Sequence, residues 1–196
     1  TTRTVFSARI KLPTNCADWV IGYDLCCRND QIVNLTTPGS QDLYVSSVIN
    51  NSNNNQFCNS SPNYGSLPII YACRNQSFSY SQGAVDVDGD SLSFTLINPL
   101  TGPGQNIPYT NGYGVNIPIG AGSTFNFSTT TGQMNFTPAV NGAFVITILV
   151  TEYRNGILVG STIRDVQVVV VSCTNSNPPV VTNIDSISSG TQIDSI

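Results

Sequence analysis

Apolar and polar residues alternate with a period of two along much of this chain, the signature of strands that bury one face. Phe6, Ala8, Ile10 and Leu12 stand opposite Ser7, Arg9 and Lys11, which predicts a half-buried strand closed by Pro13. Trp19, Ile21, Tyr23 and Leu25 predict a second strand running into Cys26, Cys27 and Arg28, and residues 43–49 a third. Further short strands are predicted at 69–73, 77–80, 92–97, 115–119, 124–128, 133–137, 143–153, 157–160 and 163–171. Thr131-Gly132, Asn141-Gly142 and Asn155-Gly156 separate several of them, and Asn155-Gly156 suits the two positive-φ positions of a type I′ hairpin. Trp19 is expected in the core, by analogy with the buried Trp of sandwich domains.

Composition strengthens this reading. Lys11 is the only lysine and Glu152 the only glutamate, so good helix formers are scarce while Val, Ile, Thr, Phe and Tyr favour strands. The expectation is an all-β chain built around a β-sandwich of immunoglobulin type. Residues 50–62 are rich in Asn and Ser and read as a linker. The string from Asp18-Trp19 to Arg28-Asn29 is echoed weakly by Ala143-Phe144 to Arg154-Asn155. These features divide the chain into a smaller disulfide-tied β-unit at 1–57, a complete sandwich at 58–174, and a linker with the start of a following module at 175–196. The segment 1–12 lacks an obvious partner in its own half, which leaves strand donation between modules open.

Six cysteines, Cys16, Cys26, Cys27, Cys58, Cys73 and Cys173, occur without any histidine, and no pair has the spacing of a zinc site. An even count in a polar chain reads as disulfides in an extracellular setting, with pairing left open. Adjacent Cys26 and Cys27 would point to opposite faces if on a strand, so different partners are expected for them. Net charge is −4 with no basic patch, which argues against nucleic acid. No apolar run approaches the length of about 18 residues that a membrane span needs, and no signal peptide is visible, so the chain reads as a mature product or an excised piece.

The chemistry concentrates in GAVDVDGDSLSFTL, residues 83–96. Asp86, Asp88 and Asp90 crowd three carboxylates into five positions of a chain that is only 9% charged. Their repulsion calls for a cation or several donors, and a hard ion such as Ca2+ accepts such oxygens. An EF-hand is excluded, because its glycine and glutamate positions would fall on Ser91 and Ile97. The alternative is a plain Asx turn whose aspartates cap backbone amides. A glycosidase would need two carboxyls about 5 to 9.5 Å apart, for which Glu152 with one of these aspartates is the only nominee. Without histidine no Ser-His or Cys-His triad can form, so an enzyme is not expected. Tyr64, Tyr109 and Tyr113 are candidate sugar-stacking platforms for a carbohydrate-binding module, with residues 98–114 the loop for a partner contact. Arg28 and Arg154, each before an Asn, are expected to bridge strand-end carbonyls or to pair with Asp24 or Asp165.

Several strings together resemble the repeat units of large cell-surface proteins of Bacteroidota, of the gliding-motility adhesin kind. They are Asp18-Trp19 through Cys26-Cys27-Arg28-Asn29, Asn59-Ser60-Ser61-Pro62, Tyr71-Ala72-Cys73, residues 83–92, Phe136-Thr137-Pro138, Glu152 through Gly156, and Arg164 through Val168. Residues 86–144 are also similar to cadherin-like domains of bacterial adhesins. The resemblance implies a cadherin-like sandwich in an exported, repetitive surface filament. It further implies type IX secretion, roles in adhesion or gliding, and calcium stiffening at module junctions. It implies Asp86, Asp88, Asp90, Glu152 and Asn59 as metal ligands. The paired acidic motif of a full cadherin is missing at 175–179. Partners implied are neighbouring copies or domains of the same protein and surface polysaccharide. Bacteroidota O-glycans attach at Asp-Ser/Thr-aliphatic triplets, which marks Ser91, Ser186 and Ser195 as glycosylation candidates.

Overall fold

The computed structural model describes residues 4–52 and 58–173. Apart from one 3-10 turn at Pro38–Ser40, its regular elements are all strands, so the all-β expectation holds. No helix among the described residues is long and apolar enough to cross a membrane.

The centre of the fold is a long hairpin of β12 (Gly142–Arg154) and β13 (Ile157–Val171), paired from Gly142↔Val170 to Arg154↔Ile157. Its turn is the predicted one, with Asn155 at φ 53° and Gly156 at φ 79°. On one side β12 pairs with β7 (Ser91–Ile97). On the other side β13 pairs with β2 (Leu43–Ile49) near its start and, in parallel, with β4 (Ile69–Cys73) near its end. The β1 strand (Trp19–Leu25) joins β2 in full register, and β8 (Leu100–Gly102) and β9 (Gln105–Asn106) extend the sheet beyond β2. A second sheet has the order β10 (Thr124–Phe127), β11 (Met134–Thr137), β5 (Phe78–Tyr80), and β3 (Asn63–Tyr64) pairs with β6 (Ala84–Val85).

Parity explains the core. Phe144, Ile146, Ile148 and Val150 of β12 share a face with Val166, Val168 and Val170 of β13, and this face packs on Met134 and Phe136 of the second sheet. The opposite face of β12 is also covered: Ala143 and Val145 meet Ile32, Leu35 and Ile107. A strand buried on both sides reads as a near-continuous apolar run, as GAFVITILV does. Asn34 ties this second layer down, accepting from the Val145 N–H and donating to the Val145 and Pro118 carbonyls.

The structure differs from expectation at several points. Residues 4–13 form no strand and nearly all are exposed, because alternation supplies a face but not a neighbour to bond. Residues 115–119 form turns and a short bridge, since Pro118 lacks a donor and Gly120 takes φ 86°. The predicted strands 157–160 and 163–171 are one strand, with a register shift absorbed near Glu152 and Tyr153. Trp19 is half-buried outside the core clusters and donates Nε1–H to the Thr14 carbonyl, because nothing packs over β1 as a second sheet would.

Cys26 bonds to Cys27, not to a distant partner: β1 ends at Leu25, so strand alternation no longer separates their side chains. Cys73 bonds to Cys173, joining the parallel neighbours β4 and β13 at their ends, while Cys16 and Cys58 are free thiols. The main sheet draws strands from both sides of residue 57, since β1 and β2 sit beside β13. Arg28 fixes this junction. It is buried, bonds both oxygens of Asp165, and donates to the Asp42 and Leu100 carbonyls.

Candidate metal centre

The core-facing row of β12 runs Phe144, Ile146, Ile148, Val150 and then, by the same parity, Glu152. This places the only glutamate of the chain at the end of the sandwich interior with 0% exposure. Its neighbour across the hairpin is Gly160, and a Cβ there would lie 3.1 Å from both Glu152 carboxylate oxygens and from the Asn59 side-chain nitrogen. The missing side chain makes the cradle in which the carboxylate sits. Asn59 donates to Glu152 Oε2 at 2.6 Å, whereas Glu152 Oε1 is buried with no partner.

The aspartate turn arrives from the other side, just before β7. Asp86 Oδ1 accepts the backbone N–H of Asp88 and of Asp90, which is the Asx capping that shapes the turn. Gly89 provides the positive φ, 82°, that the turn requires. The second oxygen, Asp86 Oδ2, is buried without a partner. One carboxylate oxygen each from Asp86, Asp90 and Glu152 lies within 4.8 Å of the others. Asp88 turns toward the linker instead and accepts the Ser60 N–H at 2.6 Å. Five residues named from the sequence thus meet at one end of the sandwich: Asp86, Asp90 and Glu152 form the cluster, with Asn59 and Asp88 beside it.

Arg154 supplies positive charge. Two residues beyond Glu152 on the same face, it bonds both oxygens of Asp90, reaches Asn59 Oδ1 and the Cys58 carbonyl, and stands 3.6 Å from Asp88. Four carboxylates and one guanidinium leave the cluster negative. Burial pushes the Glu152 carboxyl above the ordinary range; the Asn59 hydrogen bond opposes this and the three aspartates add to it. An all-oxygen set with unpartnered buried atoms on Glu152 and Asp86 suits a hard divalent cation such as Ca2+, whose flexible shell is completed by water. Capping occupies Asp86 Oδ1 and leaves Oδ2 without a hydrogen-bond partner, so the two readings of the turn are compatible.

The neighbouring Arg164 is a structural group. It stacks 4.3 Å over the Tyr64 ring and donates to the Gln82 and Ser66 carbonyls, tying the segment after the linker to β13. Burial pushes the Tyr64 hydroxyl up to about 12, with Arg164 opposing and Glu152 adding. The tyrosines considered as sugar platforms are engaged in packing: Tyr64 under Arg164, Tyr109 against the second apolar cluster, and Tyr113 beside Phe144 with ring centroids 6.0 Å apart. Of the glycosylation candidates, Ser91 is exposed at the start of β7, and Ser186 and Ser195 lie outside the described residues.

No protein-family model matches the chain, and none of the curated proteins shows significant sequence similarity to it. Two contributors, Gly160 and Ser60, escaped the sequence reading. Gly160 gave no signal, because its role depends on which residue faces it across the hairpin. Ser60 contributes only a backbone amide. Arg154, expected to bridge strand-end carbonyls or to pair with Asp24 or Asp165, does reach the Cys58 carbonyl, but its carboxylate partner is Asp90.

Proposed function

We propose that this chain is a non-catalytic structural and adhesive module of an exported, filament-like surface protein. One end of its sandwich is clamped by a calcium ion held between Asp86, Asp90 and Glu152. The observation that carries the reading is the buried Glu152, whose Oε1 has no hydrogen-bond partner and whose carboxylate belongs to a cluster with those of Asp86 and Asp90. A buried charge without compensation is costly, and a divalent cation is the compensation that oxygen ligands accept. The cluster joins three parts: the segment after the linker through Asn59 and Ser60, the turn before β7, and the tip of the β12–β13 hairpin. Fixing these parts stiffens the end of the module at the point where the linker enters. The two disulfides support an oxidising, extracellular setting.

The test is thermal unfolding of the chelator-treated protein with calcium added back, alongside calorimetric titration. Saturable calcium binding that raises the melting temperature, and that is lost in Glu152→Gln, is the expected result. Identical melting with chelator and with millimolar calcium would sink the reading.

A further inference from the structure

We propose that residues 5–12 of one copy of this chain add as a strand to the free edge of β1 in a second copy. The inference stands apart from the cation and rests on the other end of the chain. Along β1, every residue after Trp19 is exposed, including Val20 (55%), Ile21 (44%), Tyr23 (42%) and Leu25 (51%). Among the described residues β1 pairs only with β2, so its outer edge presents unpaired backbone N–H and C=O groups along seven residues. Soluble proteins blunt such edges with lysine, proline or a covering loop. This edge carries only Asp24.

The occupant has the complementary pattern. Phe6 and Ile10 are 74% and 63% exposed and lie on the apolar face of the alternating segment, with Ala8 and Leu12 between and beyond them. Residues 4–12 carry Arg9 and Lys11 and no acid, whereas residues 13–25 carry Asp18 and Asp24 and no base. Pairing that lays Phe6, Ala8, Ile10 and Leu12 beside Trp19, Ile21, Tyr23 and Leu25 puts the basic row on the Asp24 side. It also sets the two apolar rows side by side, so that each shields the other's flank.

Within one copy the approach stops short. The Phe6 ring reaches the Tyr23 ring at 5.7 Å between centroids, yet no backbone hydrogen bond joins residues 4–13 to β1. The chain is pinned just upstream of β1, where Cys16 exchanges hydrogen bonds with Asn51 and Thr14 accepts from Trp19 and Asn51. A segment arriving from a second copy is free of that tether, and reciprocal exchange satisfies both edges.

The experiment is sedimentation of the full chain over a wide concentration range with its thiols capped. It is accompanied by anisotropy of a labelled peptide of residues 4–13 added to the Ile10→Asp variant. Expected results are a reversible dimer and saturable peptide binding, with both dissociation constants raised by about tenfold or more in Ile21→Lys. The substituted side chains are exposed, so folding should survive, and circular dichroism melts confirm it. Three results would each overturn the proposal: a monomer throughout with no peptide binding, a dimer indifferent to Ile21→Lys, or a monomer whose β1 amides are protected by its own segment.

Discussion

Arg154 holds Asp90 through two parallel hydrogen bonds, Nε to Oδ1 at 2.6 Å and Nη2 to Oδ2 at 2.7 Å. The Asp90 side chain is 1% exposed, so this fork is its compensation and the latch between the aspartate turn and the hairpin tip. It also competes with any cation for the same carboxylate. The cluster therefore has one offset to its charge built into the chain, and the proposed cation would be a second, supplied from outside.

Arg154→Gln removes the built-in one. In chelator the variant should melt below the parent, because Asp90 is left buried beside Asp86 and Glu152. Calcium should then raise its melting temperature by more than it raises that of the parent. A calcium response no larger than the parent's would show that the guanidinium and the ion do not share Asp90.

The raised carboxyl of Glu152 fixes the sign of a pH dependence. Below the ordinary value of 4.5 both folded and unfolded chains hold the proton, and no penalty exists. As pH rises, the unfolded chain ionises first, so stability in chelator falls until the folded carboxyl also ionises. Urea titrations between acid and neutral pH should show this decline. Saturating calcium should flatten it, and Glu152→Gln should abolish it while stabilising the calcium-free protein by about 1 kcal/mol.

Gly160→Ala fills the cradle. Its methyl would sit 3.1 Å from the Asn59 amide and both Glu152 oxygens, so those groups must shift. The expected loss is about 1 kcal/mol in chelator with weaker calcium binding by calorimetry. Substitution of the exposed Ser91 should change neither.

Asp165→Asn probes a different buried pair. Arg28 and Asp165 meet at 2.9 Å with side-chain exposures of 2% and 8%, and Thr147 also bonds Asp165. Removing one charge strands the other inside the protein, at a cost of about 3–5 kcal/mol. Urea unfolding should show the same loss with and without calcium, because the pair lies outside the aspartate cluster.

Local pattern determined the elements where backbone chemistry is decisive. The bounds of β1, β2 and β4 and the Asn155-Gly156 turn follow from alternation and from positive-φ residues. So does the parity that puts Glu152 in line with Phe144, Ile146, Ile148 and Val150. The charge cluster was visible as well, because three aspartates in five positions are conspicuous in a chain with so few charges. Tertiary structure decided what each face and edge meets. Alternation at 6–12 is stricter than at 19–25, where Val20 breaks it, yet only the second found a neighbour in β2. Trp19 is regular too, but no sheet covers it. Gly160 became part of a carboxylate cradle, and Asp90 the partner of Arg154, only through cross-strand register and the path of the linker. The period of a strand is a property of its own backbone, while burial and pairing belong to whichever distant segment packs against it.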